Sequence, residues 1–228
     1  MAAVVVVLAG FATWYFVFRD DSPPAVSLPS ATRGQEKSAG DGPASLDGAW
    51  SVDQDAGDFT DFSSSFAGFR VREELAGIGA KTAVGRTPDV TGSLTVEGTS
   101  IPATEIEVDM TTLETDSDRR DNAIRNQAIE TSRFPTATFV LTEPIELGEV
   151  PDEGEPVTVD AVGDLTLHGV TREVTFPLEA EVNGDTITVT GALQVRFADY
   201  DIEKPTAAIV LSVDDKGIIE VQLFFTKS

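Results

Sequence analysis

A chain of 228 residues with a formal charge of −23, no cysteine and one histidine excludes several classes at the outset. Without cysteine there is no disulfide framework, zinc–thiolate site, thiol nucleophile or lipid-modified cysteine. The surplus of carboxylates repels phosphate backbones and anionic headgroups, which argues against nucleic-acid binding and against electrostatic membrane docking.

Met1 to Phe18 carries no charged side chain. As a helix rising about 1.5 Å per residue it would reach roughly 27 Å, close to the hydrocarbon thickness of a bilayer. Trp14, Tyr15 and Phe16 lie near its end and Arg19, Asp20 and Asp21 follow, as at a membrane interface. The basic leading region and small-residue cleavage site of a signal peptide are missing. The expectation is an uncleaved, single-pass transmembrane helix over 1–19. Residues 20–48 hold Pro23, Pro24, Pro29 and Pro43 among Ser, Gly and Ala, and read as a flexible linker. One domain, 49–228, remains.

Beyond Trp50 the apolar residues alternate with period two. Phe69 and Val71 alternate with Arg70 and Arg72, Leu94 and Val96 with Thr95 and Glu97, and Ile106, Val108 and Met110 with Glu107 and Asp109. Further strands are expected over 137–141, 157–167, 170–181, 186–197, 208–213 and 218–226, with turn chemistry at Glu97-Gly98, Asn183-Gly184 and 214–217. The clearest unit is a hairpin, Gly163 to Phe176, folded at His168-Gly169. This register sets Leu167 opposite Val170 and puts Arg172, opposite Leu165, on the apolar face. Between the strands, Asp118 to Glu130 reads as one short helix with Asp118 as N-cap and Ile124, Ala128 and Ile129 near one face. It ends before Phe134-Pro135. No helical crossovers separate the strands, so the fold class is mainly β: an antiparallel barrel of about eight strands, which closure frees of exposed edges.

Catalytic signatures are absent or incomplete. Gly77-Ile78-Gly79 lacks the third glycine of a dinucleotide loop, Gly79-Ala80-Lys81-Thr82 lacks the glycine before a P-loop lysine, and G-x-S-x-G does not occur. The run Asp53, Asp55, Asp58, Asp61 lacks the glycine and the final glutamate of a calcium loop. His168, in a turn, is better read as structural than as the centre of a triad. Paired carboxylates of a hydrolase would be one alternative, but 39 acidic residues always offer pairs. Arg119, Arg120 and Arg125 could clamp an anion, although pairing with Asp118 and Asp121 on the helix surface is the simpler reading. No catalytic residue, metal site or cofactor is assigned.

Four stretches carry a resemblance. Trp50-Ser-Val-Asp53, Arg120-Asp121, Phe134-Pro-Thr-Ala-Thr-Phe139 and Gly163-Asp-Leu-Thr-Leu-His-Gly-Val-Thr171 resemble, in order and spacing, the bacterial YceI-like family, from about Trp50 to Thr226. The resemblance implies a lipocalin-like barrel holding a long apolar chain, typically a polyisoprenoid, an exported domain, and a helix near the barrel mouth. The chain departs from the family's usual pattern in having Ser64-Ser65 without a preceding histidine, Glu73-Glu74 near a second histidine position, and Ala128 and Ile129 where paired phenylalanines are usual.

Taking the apolar face as inward, the ligand-binding candidates are Phe69, Val71, Leu94, Val96, Ile106, Val108, Met110, Phe139, Leu165, Leu167, Val174, Phe176, Ile187, Val189, Leu193 and Val195, with Arg120 as a polar contact at the mouth. The expected partners are a polyisoprenoid or quinone-like lipid and the membrane, through the N-terminal helix; no nucleic acid is expected, and a homodimer is compatible with the chain. The expected location is the cytoplasmic membrane with the barrel outside the cytoplasm. The alternative is an envelope-stress or interaction module whose barrel is filled by side chains and takes no ligand.

Overall fold

The computed structural model describes residues 22–33 and 45–228. The expected membrane segment, 1–19, falls outside these, and among the described residues no helix is long and apolar enough to cross a membrane.

Strands β9 (Val157–Leu167) and β10 (Val170–Asn183) form the hairpin in the register that alternation dictates, with Leu167 opposite Val170 and Leu165 opposite Arg172. His168 and Gly169 take φ of 53° and 75°, the left-handed backbone that a two-residue turn between right-twisted strands demands. Arg172 nevertheless does not join the apolar interior. It is exposed, and its Nε donates to the Asp199 carbonyl at 3.0 Å. So close to the turn, a long side chain can leave its strand face and lie along the rim.

The hairpin is part of a closed ring. Strands β1 (Gly48–Val52), β4 (Val90–Glu97), β5 (Ser100–Asp109), β7 (Thr136–Leu141), β9, β10, β11 (Thr186–Arg196) and β13 (Lys216–Lys227) pair in that order, all antiparallel, and β13 pairs back to β1. The second edge of β13 is shared. Its last residues pair with β1, while Ile218 to Gln222 pair with β2 (Phe66–Leu75). Strand β3 (Gly79–Thr87) then flanks β2, and the two-residue β6 (Glu114–Thr115) closes the wall against Gly85 and Arg86. Strand β3 contains the residues tested above as a phosphate loop; its Gly and Ala positions hide the alternation. Two short strands, β8 (Ile145–Glu146) and β12 (Val210–Val213), pair with β5 and β2.

Part of the stretch expected as a linker is seated on the barrel. Residues 22–33 include a single turn, α1 (Leu28–Ala31), with Leu28 2% exposed. On the outer face of β13, Glu220 is 1% exposed and pairs with Arg70 Nε at 2.5 Å and Arg86 Nη2 at 3.2 Å. The two arginines also donate to the carbonyls of Pro23 and Pro24, and the Val26 N–H donates to Glu220 at 3.3 Å. Arg86 is flanked by the rings of Phe62 and Phe66, each 4.4 Å away. Burial works against its charge, and Glu220 offsets part of that cost. Proline-rich composition hides such docking, because the strap supplies mainly carbonyls.

Candidate functional site

The strand pattern makes one continuous inward face, but the interior is not uniform. At the lower end, marked by the Glu97-Gly98 and Asn183-Gly184 turns, bulky side chains fill it: Trp50 (0% exposed), Leu94, Val96, Ile187, Leu223 and Phe225 form one cluster, with Val189 against it. The Trp50 indole N–H donates to the Leu46 carbonyl at 2.9 Å, so its polar edge is satisfied. At the upper end the facing positions include the small residues Ala83, Ala137 and Gly217, and a cavity of about 180 Å³ remains. Its size exceeds by more than tenfold the roughly 10–15 Å³ that one water needs.

The cavity is walled by Phe69, Val71, Ile106, Val108, Met110, Phe139, Leu165, Leu167, Phe176 and Val195 among the candidates read from the sequence, and Arg120 stands at its rim. Leu94, Val96, Ile187 and Val189 are not on it; they belong to the filled lower end. Val174 and Leu193 pack against the upper cluster without lining the cavity. Alternation gives the inward face but not the depth at which that face stops being filled.

Phe139 and Phe176 divide the two ends. Their rings meet edge to face with centroids 6.1 Å apart, and Phe139 packs against all three apolar clusters of the barrel. Each ring lies over a glycine of a wall strand. A Cβ on Gly163 would stand 2.6 Å from Phe139 Cζ, and one on Gly191 2.9 Å from Phe176 Cε1. The two rings therefore lie flat on the wall only because these positions carry no side chain.

The lid is the helix, and it differs from the expected one. An α segment, α2 (Asp118–Ala123), runs into a π turn, Ile124–Ala128. Ser117, not Asp118, is the N-cap residue, and it makes no side-chain cap bond. Asp121 instead accepts from the Thr115 N–H at 2.8 Å and its hydroxyl at 2.7 Å, tying α2 to β6. In the π turn the Ile129 N–H donates to the Ile124 carbonyl at 2.8 Å. That wider spacing swings Ile129 back over Ile124, so Ile124, Ala128 and Ile129 all face the cavity.

Two charged groups line this otherwise apolar space. Glu73 (8% exposed) reaches Arg120 Nη2 at 2.6 Å, and Arg120 also pairs with Asp116. Burial works against the Arg120 charge, but the pairing with Glu73 and Asp116 more than offsets it and raises its pKa. Glu73 is in phase with Phe69 and Val71, so the alternation carries it to the inward face, and only its charge kept it out of the apolar candidates. Ile219 and Val221 of β13 also line the cavity and were reachable by extending the alternation already seen in 218–226. The far rim is built by Ile202, Pro205 and Val213.

His168 is a tack between elements. It is buried, its Nδ1 donates to the Tyr200 carbonyl at 3.0 Å, its Nε2 lies 3.1 Å from Glu130 Oε2, and its ring packs edge-on to Phe134 at 4.4 Å. The Arg133 guanidinium and then His168 hold the Glu130 carboxyl below its ordinary range. Among the described residues no group of three metal-ligating side chains converges.

Comparison with known proteins agrees with this architecture. The family described as the YceI-like domain matches residues 50–225. A UPF0312 protein of Vibrio vulnificus is 31% identical over 127 residues, 52% of this chain and 64% of its own. One of Pseudomonas putida is 32% identical over 137 residues, 59% of this chain and 62% of its own. The chain thus spans less than two thirds of the curated relatives it matches. Among solved structures, a polyisoprenoid-binding domain from Saccharophagus degradans implicated in plant cell wall breakdown aligns with a TM-score of 0.59 at 19% identity, covering 78% of this chain and 98% of that one. Burkholderia cenocepacia BcnA aligns with a TM-score of 0.52 at 18% identity, covering 69% and 95%. At these identities the structures speak for the fold alone.

Proposed function

This chain belongs to the YceI-like domain family, and we propose on that footing that it binds a long-chain isoprenoid or similar lipid in the upper half of its barrel, sequestering or carrying it. The observation that carries the reading is the cavity, apolar on nearly every side and lined at one rim by Glu73 and Arg120. Burial is worth about 0.8 kcal/mol per methylene, so an apolar chain held there needs few polar contacts. A side-chain-filled interaction module would have the lower half's packing throughout. The name of the aligned polyisoprenoid-binding domain lends the ligand class.

The rim favours an uncharged headgroup, a quinone or an amide, over a pyrophosphate. Arg120 is already paired with Glu73 and Asp116, and no second cation stands with it among the cavity-lining residues. The protein is not catalytic in this reading. Residues 1–19 would hold it at the outer side of the cytoplasmic membrane as a single-pass anchor. Native mass spectrometry of the gently purified full chain tests the binding: a complex heavier than the chain by one extractable lipid is expected. A bare mass, unchanged after adding an isoprenoid quinone, would overturn it.

A further inference from the structure

Five large apolar side chains are conspicuously exposed among the described residues: Ile209 (52%), Leu211 (64%), Ile218 (38%), Val140 (41%) and Val150 (51%). The first three share the rim of the cavity. Ile209 and Leu211 lie on the segment Pro205–Val213, whose Pro205 and Val213 line the cavity from the other side, and Ile218 lines it too. From 205 to 213, PTAAIVLSV, there is no charge. Apolar side chains are thus exposed to solvent beside the cavity mouth, where exposed aliphatic groups mark an unmet partner.

The chain itself indicates what that partner is. Ile218 pairs with Arg70, and Arg70 donates to the Pro23 carbonyl, so the strap meets the barrel beside Ile218. Upstream stands the uncharged stretch ending at Phe18. At roughly 3.5 Å per residue, Phe18 and Pro23 are no more than about 18 Å apart. Anything that holds Met1–Phe18 in a bilayer therefore holds this rim near the same bilayer.

We propose that Ile209, Leu211 and Ile218 form a docking surface for a lipid bilayer, which places the cavity mouth against the membrane so that a lipid enters without crossing water. The contact is apolar, not electrostatic. Asp201, Glu203, Asp214 and Asp215 flank the segment, against Lys204 and Lys216, and the chain as a whole carries −23. Docking is accordingly strongest on zwitterionic phosphatidylcholine, which carries no net charge, and weakens as anionic lipid is added. This route rests on the cavity being the lipid's seat, but it makes a separate claim about the surface.

The chain has no cysteine, so a single one can be placed at will and labelled with an environment-sensitive fluorophore. Leu211→Cys reports on the rim. Val150→Cys, also more than half exposed, reports on the opposite end, in the loop whose Gly154 N–H donates to the Val182 carbonyl at 2.8 Å beside the lower turn. Both labelled full chains are mixed with phosphatidylcholine vesicles containing a brominated lipid. The expected result is a blue shift and strong quenching at 211 and neither at 150, fading when anionic lipid replaces part of the phosphatidylcholine. Emission at 211 that stays as solvent-like as at 150, or equal quenching at both, overturns the docking surface. Native mass spectra of the same samples keep the two claims apart: retained lipid with an unquenched 211 sinks the surface alone, whereas a bare mass sinks the lipid-binding reading.

Discussion

The lower and upper halves of the barrel are built from the same strands with the same alternation, yet one is solid and the other hollow. The difference lies in side-chain size. Below the Phe139–Phe176 pair, Trp50, Leu94, Val96, Ile187 and Phe225 meet across the axis and fill it. Above it, Ala83, Ala137 and Gly217 stand where bulk would be needed. The lower half thus secures the fold with dense packing, which is what lets the upper half remain unfilled; an apolar void costs stability that the packed half must cover.

Substitutions in each half should have opposite consequences. Trp50→Ala, in the solid half, is expected to cost about 3–5 kcal/mol, a fall in Tm on the order of 10 °C in a thermal melt, while the folded fraction still carries lipid in native mass spectra. Ala137→Phe, in the hollow half, should cost no more than about 1–3 kcal/mol and abolish lipid retention, because the ring takes the ligand's space. Arg120→Leu leaves Glu73 facing an apolar cavity without its partner. With Arg120 itself 21% exposed, a loss of about 2 kcal/mol in denaturant unfolding is expected, restored in part by Glu73→Leu in the same chain. The smallest effect lies at the His168 tack. The Glu130 carboxyl is held below its ordinary pKa by Arg133 and His168, so its contribution is present above the usual carboxylate range and lost as pH falls through the depressed value. Glu130→Gln should lower Tm slightly at neutral pH, where the contribution is present, and leave it nearly unchanged at low pH, so that the acid side of a Tm-against-pH curve is flatter.

Much of this fold was legible in the residues. The hairpin register followed from alternation plus the His168-Gly169 turn, and the recurrence of such strands without helical crossovers pointed to an antiparallel barrel. Alternation is a signal about faces, so it placed Leu94 and Leu165 in one class although only Leu165 borders the cavity. What separates them is depth along the barrel axis, which depends on how neighbouring strands are staggered. The wall's small residues were silent for a related reason: an alanine or glycine facing inward looks like any turn or linker residue. Helical spacing grouped Ile124, Ala128 and Ile129 near one face, as found, but did not anticipate the π turn that brings Ile129 fully onto it. Glu220 was hidden too, since a charge on the outward face is ordinary until a strap is found lying over it.

The claim that the hollow half is the lipid's seat is tested most directly by photocrosslinking. A diazirine-bearing isoprenoid, bound to the full chain and activated by light, should mark peptides through the residues around the cavity, Val108, Leu165 and Ile219 among them, and leave Leu94, Val96, Ile187 and Leu223 unmarked. Crosslinks concentrated on the lower residues, or scattered over the outer surface and unaffected by Ala137→Phe, would contradict it.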